Sequence, residues 1–273
     1  MAPTLNIIGA GKVGRVLGRL FAASGALTVQ DVLTRSGDSA ARAVAFIGAG
    51  NSVNAMAQMR EADVWMLAVS DDQIGAACEA LADILSPGAI VFHCSGAKSS
   101  GELAAATKAG ALAASVHPIR SFADPVQVAA SFGGTFCGME GDARALAVLS
   151  AAFAAIGARP VFIDAAAKTV YHAASVFASN YLVTVLDAAL RAYRAAGIDD
   201  AVARQLAAPL AFETLENVLR MGPAAALTGP IARGDVATVA RQQEALDAWD
   251  RPTGELYRAL ALATSALANK PEG

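Results

Sequence analysis

The chain is poor in the residues that mark several common protein classes. Its three cysteines, Cys78, Cys94 and Cys137, lie far apart with no paired spacing. That argues against a zinc site or a disulfide framework and for reduced, buried thiols. Charge is sparse: 16% of the 273 residues are charged, the net charge is −3, and the few Lys and Arg are scattered. Nucleic-acid binding needs a basic run or stripe, which this sequence lacks. Of its three histidines, His93 and His117 do not have metal-ligand spacing with a carboxylate, so no metal is expected. Long apolar runs are missing as well. The longest uncharged run, Thr169 to Leu186, is interrupted by Tyr, His, Ser, Asn and Thr, so no membrane span is expected. Only Met1 to Thr4 precede the first β-rich run, so no signal peptide is expected. The expectation is a cytoplasmic protein.

Apolar side chains, by contrast, make up 55% of the chain, much of it Ala, enough for a sizeable core with closely packed helices. Short β-rich runs alternate with helical patterns over roughly the first 160 residues. Strands are predicted at Leu5–Ile8, Thr28–Leu33, Asp63–Val69, Ala89–His93, Gly110–Val116, Thr135–Met139 and Pro160–Ile163, with a weaker one near Ala43–Phe46. Helices are predicted at Val13–Ser24 and at Gln73–Leu85, the latter opened by Ser70-Asp71-Asp72 as a capping cluster. Such spacing implies βαβ crossovers and a mostly parallel sheet covered on both faces. After Asp164 no convincing strand remains. Helices are predicted at 168–196, 201–221, 236–249 and 253–268, punctuated by Gly197, Gly222-Pro223, Gly229-Pro230 and Pro252. The expected architecture is therefore an α/β domain over 1–164 followed by an all-α domain over 165–273.

Gly9-Ala10-Gly11-Lys12-Val13-Gly14 has the spacing G-x-G-x-x-G, and it follows a β-rich run and opens a helical one. In that setting it reads as the dinucleotide-binding (Rossmann) fingerprint. The first Gly permits the tight turn, the second lets the backbone approach a pyrophosphate, and the third lets the helix pack on the sheet. Free N–H groups and the positive dipole end at the helix start favour the phosphates. Gly48-Ala49-Gly50 has no strong strand before it and reads as an ordinary loop. NAD enzymes usually carry an acidic residue at the end of the second strand, for the ribose 2′-OH. Here the strand ends Leu33-Thr34-Arg35-Ser36, where Arg35 can pair with a 2′-phosphate and Thr34 and Ser36 can hydrogen-bond to it. NADP is the expected cofactor. Asp31, the competing acid, lies too early in the strand.

Ligands of open α/β sheets bind beyond the carboxyl ends of the strands. Polar groups stand at three such ends: Val69-Ser70-Asp71-Asp72, His93-Cys94-Ser95-Gly96 and His117-Pro118. Ser70 and Asp71 also suit helix caps, and His93 also suits a satisfied buried imidazole. In the first helix of the second half, Lys168, His172, Ser175 and Ser179 fall within about 60° of one another at 100° per residue. They form a polar stripe among Tyr171, Val176, Phe177, Leu182, Val183 and Leu186, while Asn180, Thr184 and Asp187 form a second polar line. A Lys one turn from a His suits reduction of a carbonyl or imine, where a positioned acid or cation stabilises the charge developing on oxygen or nitrogen.

With these residues, the chain resembles the 6-phosphogluconate dehydrogenase-like superfamily, which includes pyrroline-5-carboxylate reductase, ketopantoate reductase and the β-hydroxyacid dehydrogenases. More narrowly it resembles Rossmann-like proteins carrying the domain of unknown function 2520, through His93 to Ala97 (HCSGA), His117 to Pro125 (HPIRSFADP), Tyr171 to Tyr181 (YHAASVFASNY) and Leu227 to Asp235 (LTGPIARGD). The resemblance implies NADP-linked hydride transfer at a domain interface and a homodimer built through the helical domain. The site residues it points to are Lys168, His172, His117, Ser95 and Asn180, with Val69, Ser70, Cys94 and Ser95 beside the cofactor. Thr228, Arg233 and Asp235 match the family's Gly-Pro segment, though Asp235 is equally an N-cap. In β-hydroxyacid dehydrogenases the catalytic Lys is followed one turn later by Asn; here His172 stands there. A small keto or imino acid is the expected substrate, and no nucleic acid or membrane is expected as a partner. Two alternatives stay open: a non-catalytic NADP-binding sensor on the same scaffold, and an NADP-linked reductase whose hydride partner is a deazaflavin.

Overall fold

The computed structural model describes residues 1–269. The sheet half of the chain runs β1 (Thr4–Ile8), α1 (Lys12–Ser24), β2 (Thr28–Leu33), α2 (Gly37–Ile47), β3 (Asn51–Val53), β4 (Val64–Leu67), α3 (Ile74–Ala82) and β5 (Ile90–His93). It continues with α4 (Ala104–Lys108), β6 (Leu112–Pro118), α5 (Pro125–Ala130), β7 (Phe136–Gly141), α6 (Ala143–Ala155), β8 (Arg159–Phe162) and α7 (Lys168–Val176). The eight strands form one sheet of order β3-β2-β1-β4-β5-β6-β7-β8, in which only the β6–β7 pair is antiparallel. The mostly parallel α/β sheet expected from the sequence is the one that forms.

Period-two side-chain alternation builds a core on each face. Leu5, Ile7, Val64, Met66, Ile90 and Phe92 point to one side, where Phe21 of α1 and Phe153 of α6 meet edge to face at 5.2 Å. Ile8, Trp65, Leu67 and Val91 point to the other, against Ile74, Cys78 and Leu81 of α3. Strand order reverses between β1 and β4, so a crevice opens there beyond the carboxyl ends.

Several elements differ from the sequence reading. The weak strand near Ala43–Phe46 is instead part of helix α2. Ala40, Ala43 and Ile47 recur at helical spacing and are buried, Ser36 caps the start, and Gly48 ends the helix with φ 82°. So short an apolar run carries no clear period. The third strand is Asn51–Val53, paired with Asp31 to Leu33. Ser70 makes no side-chain cap bond: a 3-10 turn over Asp71–Gln73 intervenes before α3. The predicted single helix over 168–196 is α7, a π-helical turn (Phe177–Tyr181) and α8 (Leu182–Ala195). The helical run Ala165–Ala195 is, by length and composition, long and apolar enough to cross a membrane, which the sequence reading did not expect. Its first turns are committed to the sheet, since Lys168 and Tyr171 bond to sheet residues.

The chain divides into two compact units, the first ending at Ser179 and the second starting at Asn180. Helix α7 thus groups with the sheet, although a boundary near Asp164 was expected. The second unit contains α8, α9 (Asp200–Met221), α10 (Pro223–Ala226), α11 (Val236–Trp249) and α12 (Arg251–Ala268). Asp199 caps α9 and Asp235 caps α11 through its bond from Thr238 N–H. Arg191 of α8 ties this unit together, donating to Asp187, Asp250 and Thr253.

The close seat of α1 on the sheet depends on Gly14. A Cβ there would fall 2.6 Å from the Gly9 carbonyl oxygen and 2.8 Å from Ala68 Cβ. Gly14→Val is expected to destabilise the fold by about 1–3 kcal/mol through overpacking. Gly11→Ala, whose Cβ would meet nothing within 4 Å, is expected to leave stability unchanged. Urea denaturation of the two variants checks this pair.

Candidate active site

The glycine loop takes the shape its spacing predicts. Gly9 has φ 82°, a left-handed conformation that favours glycine, and its N–H donates to Leu33 O at 2.8 Å. A Cβ on Gly9 would lie 2.7 Å from Ala68 O and Val69 Cγ1. Gly11 stands at the N-cap of α1 with no side-chain cap, so the amides of the helix start face outward. Lys12 Nζ donates to Ala123 O at 2.9 Å. At the end of β2, Arg35 is exposed and forms no ion pair among the described residues. Thr34 Oγ1 donates to Ser36 O, and Ser36 Oγ accepts from Ser39 N–H. Asp31 is buried and engaged: Arg60 donates to both carboxylate oxygens, at 2.6 Å in the closest contact. Burial alone would raise the Asp31 pKa, but the Arg60 bonds outweigh it and hold the carboxyl below its usual range.

A line of polar groups runs from this loop along the carboxyl ends of β4, β5 and β6. Val69 and Ser70 follow β4, and the next residue, Asp71, accepts a 2.7 Å hydrogen bond from Ser95 Oγ. Ser95 Oγ also accepts from the Ala97 and Lys98 amides, which fixes the turn after β5. His93 is a satisfied buried imidazole: its Nδ1 accepts from Ser95 N–H, leaving Nε2–H to donate to Ser99 O at 3.0 Å. Cys94 is half-buried, and burial pushes its thiol up.

Lys168 is buried rather than solvated. Only 1% of its side chain is exposed; Nζ donates to Ser115 Oγ on β6 and to Glu140 Oε1 on β7 at 3.1 Å. Glu140, itself buried, accepts from the Ser100 amide and hydroxyl. Burial pushes the Lys168 pKa down, and the adjacent Glu140 carboxylate opposes that shift. Next to this pair, His117 Nδ1 lies 2.9 Å from the Tyr171 hydroxyl, and the His117 and His172 rings meet with centroids 5.6 Å apart. Gly96 leaves room for both imidazoles: a Cβ there would fall 2.8 Å from His117 Nε2 and would collide with His172 Cδ2.

Of the residues singled out in the sequence, Ser95, His117 and His172 thus converge around Gly96, while Lys168 is held by Ser115 and Glu140. Ser175 is half-buried and Ser179 exposed. Asn180 is exposed and belongs to the second unit; its carbonyl accepts from Thr184 Oγ1. Thr228 and Arg233 are also in that unit. Arg120, in the segment that follows His117, donates to Ser131 and Thr135. Sequence reasoning missed Glu140, Ser115 and Gly138, gave Gly96 no role beyond its place at a polar strand end, and read Tyr171 as packing. Glu140 carried one signal, an acid directly following a predicted apolar strand.

A sheet of this order with a glycine loop at its switch point defines a dinucleotide-binding class of fold. Family models agree: the Rossmann-like domain matches residues 3–118, and the domain of unknown function DUF2520 matches residues 135–264. The chain joins a Rossmann-like domain to a DUF2520 domain. A Thermotoga maritima protein of solved structure is 27% identical, with a TM-score of 0.73, over 97% of this chain and 98% of its own. A Bacteroides fragilis protein described as a candidate NADP oxidoreductase is 20% identical, with a TM-score of 0.79 and the same coverage. The pyrroline-5-carboxylate reductase of Coxiella burnetii is 18% identical, with a TM-score of 0.60, over 99% of this chain and 100% of its own. The last two likenesses concern fold. No curated protein matches the chain.

Two outcomes follow from the buried groups. Glu140→Ala strands the Lys168 ammonium and is expected to cost about 3–5 kcal/mol, whereas Glu140→Leu with Lys168→Met recovers most of that loss. Chemical denaturation of both variants reads the difference. Burial, then the neighbouring His172 and Lys168, lowers the His117 pKa to about 4. The unfolded chain therefore takes up a proton below about pH 6.5 that the folded chain refuses, so stability is full above that pH and lost as pH falls toward 4. A loss of about 2 kcal/mol between pH 7 and 4.5 is expected, allowing for partial exposure of the ring. His117→Gln should flatten that slope in urea titrations.

Proposed function

We propose that the protein is an NADP(H)-dependent oxidoreductase that reduces a small keto or imino acid, or oxidises the matching hydroxy or amino acid. One observation carries this reading: an unbroken line of contacts along the carboxyl edge of the sheet. Gly9 packs on Ala68 and Val69, Asp71 holds Ser95, and Gly96 fits against His117 and His172. The outward amides at the start of α1 and the open Cβ direction of Gly11 fit a pyrophosphate approached closely by backbone. Nicotinamide, when bound, supplies or accepts the hydride. In this reading Val69-Ser70 and Cys94-Ser95 border the cofactor, and Ser95, His117 and His172 hold the oxygen or nitrogen on which charge changes. Lys168 acts from behind, keeping Ser115 and Glu140 in place and adding a fixed positive charge.

The preference for NADP rests on Asp31 and Arg35. The only acid on β2 is consumed by Arg60, while Arg35 beside Thr34 and Ser36 has no other ion-pair partner among the described residues. Arg35→Ala is expected to weaken NADPH binding by about tenfold or more, as for a lost charge-assisted hydrogen bond, and to leave NADH binding nearly unchanged. Fluorescence titration with both nucleotides decides this, and an equal loss for both would sink the NADP assignment. Gly11→Ala should weaken both. Tight NADPH binding without reduction of any keto or imino acid in a substrate panel would support the sensor alternative instead.

A homodimer through the helical unit is part of the same proposal. Among its described residues only Ala203, Thr253 and Gly254 are buried, whereas Leu206, Leu210, Phe212, Leu215 and Leu219 along α9 are exposed. An open apolar groove of about 440 Å³ lies between Val185, Ala189, Leu246, Leu256 and Leu260. So large an uncovered apolar surface favours a partner copy.

A further inference from the structure

The hydroxyl of Tyr171 has two neighbours in the sheet. On one side His117 Nδ1 lies 2.9 Å away, and the two rings meet edge to face with centroids 5.7 Å apart. On the other is Gly138, which pairs with His117 across the antiparallel β6–β7 ladder. Any Cβ on Gly138 would collide with the tyrosine hydroxyl, so the missing side chain is what admits the phenol. Within hydrogen-bond distance of the phenol oxygen stands His117 Nδ1. A phenol O–H is a stronger donor than an imidazole N–H, and an imidazole nitrogen a stronger acceptor than a phenol oxygen, so the hydroxyl hydrogen is directed at His117 Nδ1. An imidazole whose Nδ1 accepts carries its own hydrogen on Nε2 when neutral. That Nε2 edge is the one beside Gly96 and His172, and His117 remains partly exposed.

We propose that Tyr171 is a positioning residue that locks His117 as the Nε2–H tautomer, making this edge the hydrogen-bond donor to the carbonyl or imine of the substrate. The use of the donor rests on the oxidoreductase reading; the tautomer lock does not. Burial keeps the relevant species neutral, lowering His117 to about 4 and raising Tyr171 to about 12. Neutral imidazole is a competent electrophile for a polarised double bond, and it gives its hydrogen bond to the atom that gains negative charge as hydride reaches carbon. His172 flanks the same edge, and Lys168, held by Glu140, adds its charge from the adjacent strand pair.

Long-range proton–nitrogen NMR of the full chain labelled at its three histidines tests the lock, with His172→Gln used for assignment. In the wild type, His117 should show its hydrogen on Nε2 and a bare Nδ1. Tyr171→Phe, which keeps the ring and deletes the hydroxyl, should lose that single tautomer. Gly138→Ala, which displaces the hydroxyl, should do the same. In reductions driven by NADPH, Tyr171→Phe should lower kcat by about 10- to 100-fold, as for a misplaced proton donor, with KM for NADPH unchanged. An Nδ1–H signal in the wild type, or an unaltered tautomer in a folded Tyr171→Phe variant, overturns the lock; the wild-type spectrum decides even if that variant does not fold. A lost tautomer with unchanged kcat overturns the donor role. The expected tautomer with no substrate reduced by the wild type leaves the lock established and counts against the oxidoreductase reading alone.

Discussion

The arrangement at the carboxyl edge of the sheet depends on one buried ion pair. Lys168 at the start of α7 and Glu140 on β7 are both withdrawn from water, and neither is tolerable there alone. Their pairing, completed by Ser115 and Ser100, joins the first turn of a helix to two neighbouring strands and to the turn after β5. A buried pair of this kind contributes little net stability against an apolar replacement. It specifies position, because only one placement of α7 satisfies both charges. Tyr171 and His172 follow Lys168 on the same helix, so the position of Lys168 sets where the phenol and the second imidazole can lie.

Two glycines make that placement possible. Gly96, in the turn after β5, and Gly138, within β7, face α7, and each is empty where a tyrosine or histidine ring must come close. The site therefore combines a rigid charged tether with two gaps of fixed shape. Burial then keeps the imidazole of His117 neutral and the phenol protonated near neutral pH. The glycine loop is built on the same economy of side chains, with Gly9 and Gly14 setting the approach of α1 to β1 and β4.

Much of this was legible in the chain itself. Short β-rich apolar runs such as Val64–Leu67 and Ile90–His93, glycines at the strand-to-helix turn, and the loss of strand signals after Asp164 pointed to the sheet, the loop and the helical second half. These are local properties: each follows from the backbone preferences of adjacent residues or from which faces must be covered. The failures were local ambiguities. Four apolar residues at Ala43–Phe46 carry no readable period, and helical propensity with caps at Ser36 and Gly48 prevailed. The stripe of Lys168 and His172 was visible as well, because helical spacing alone puts them on one face.

What that stripe meets was not visible. Glu140 reaches Lys168 and Gly138 admits Tyr171 only because β7 runs antiparallel beside β6, a pairing between segments distant in sequence. Burial of Lys168, the partner of Tyr171 and the engagement of Asp31 by Arg60 are facts of the same kind. The sequence by itself determined the α/β class, the glycine loop and the residue types available for chemistry. Only the tertiary structure decided which of those residues touch, because charge pairing and ring contact depend on distances that strand order, not sequence spacing, sets.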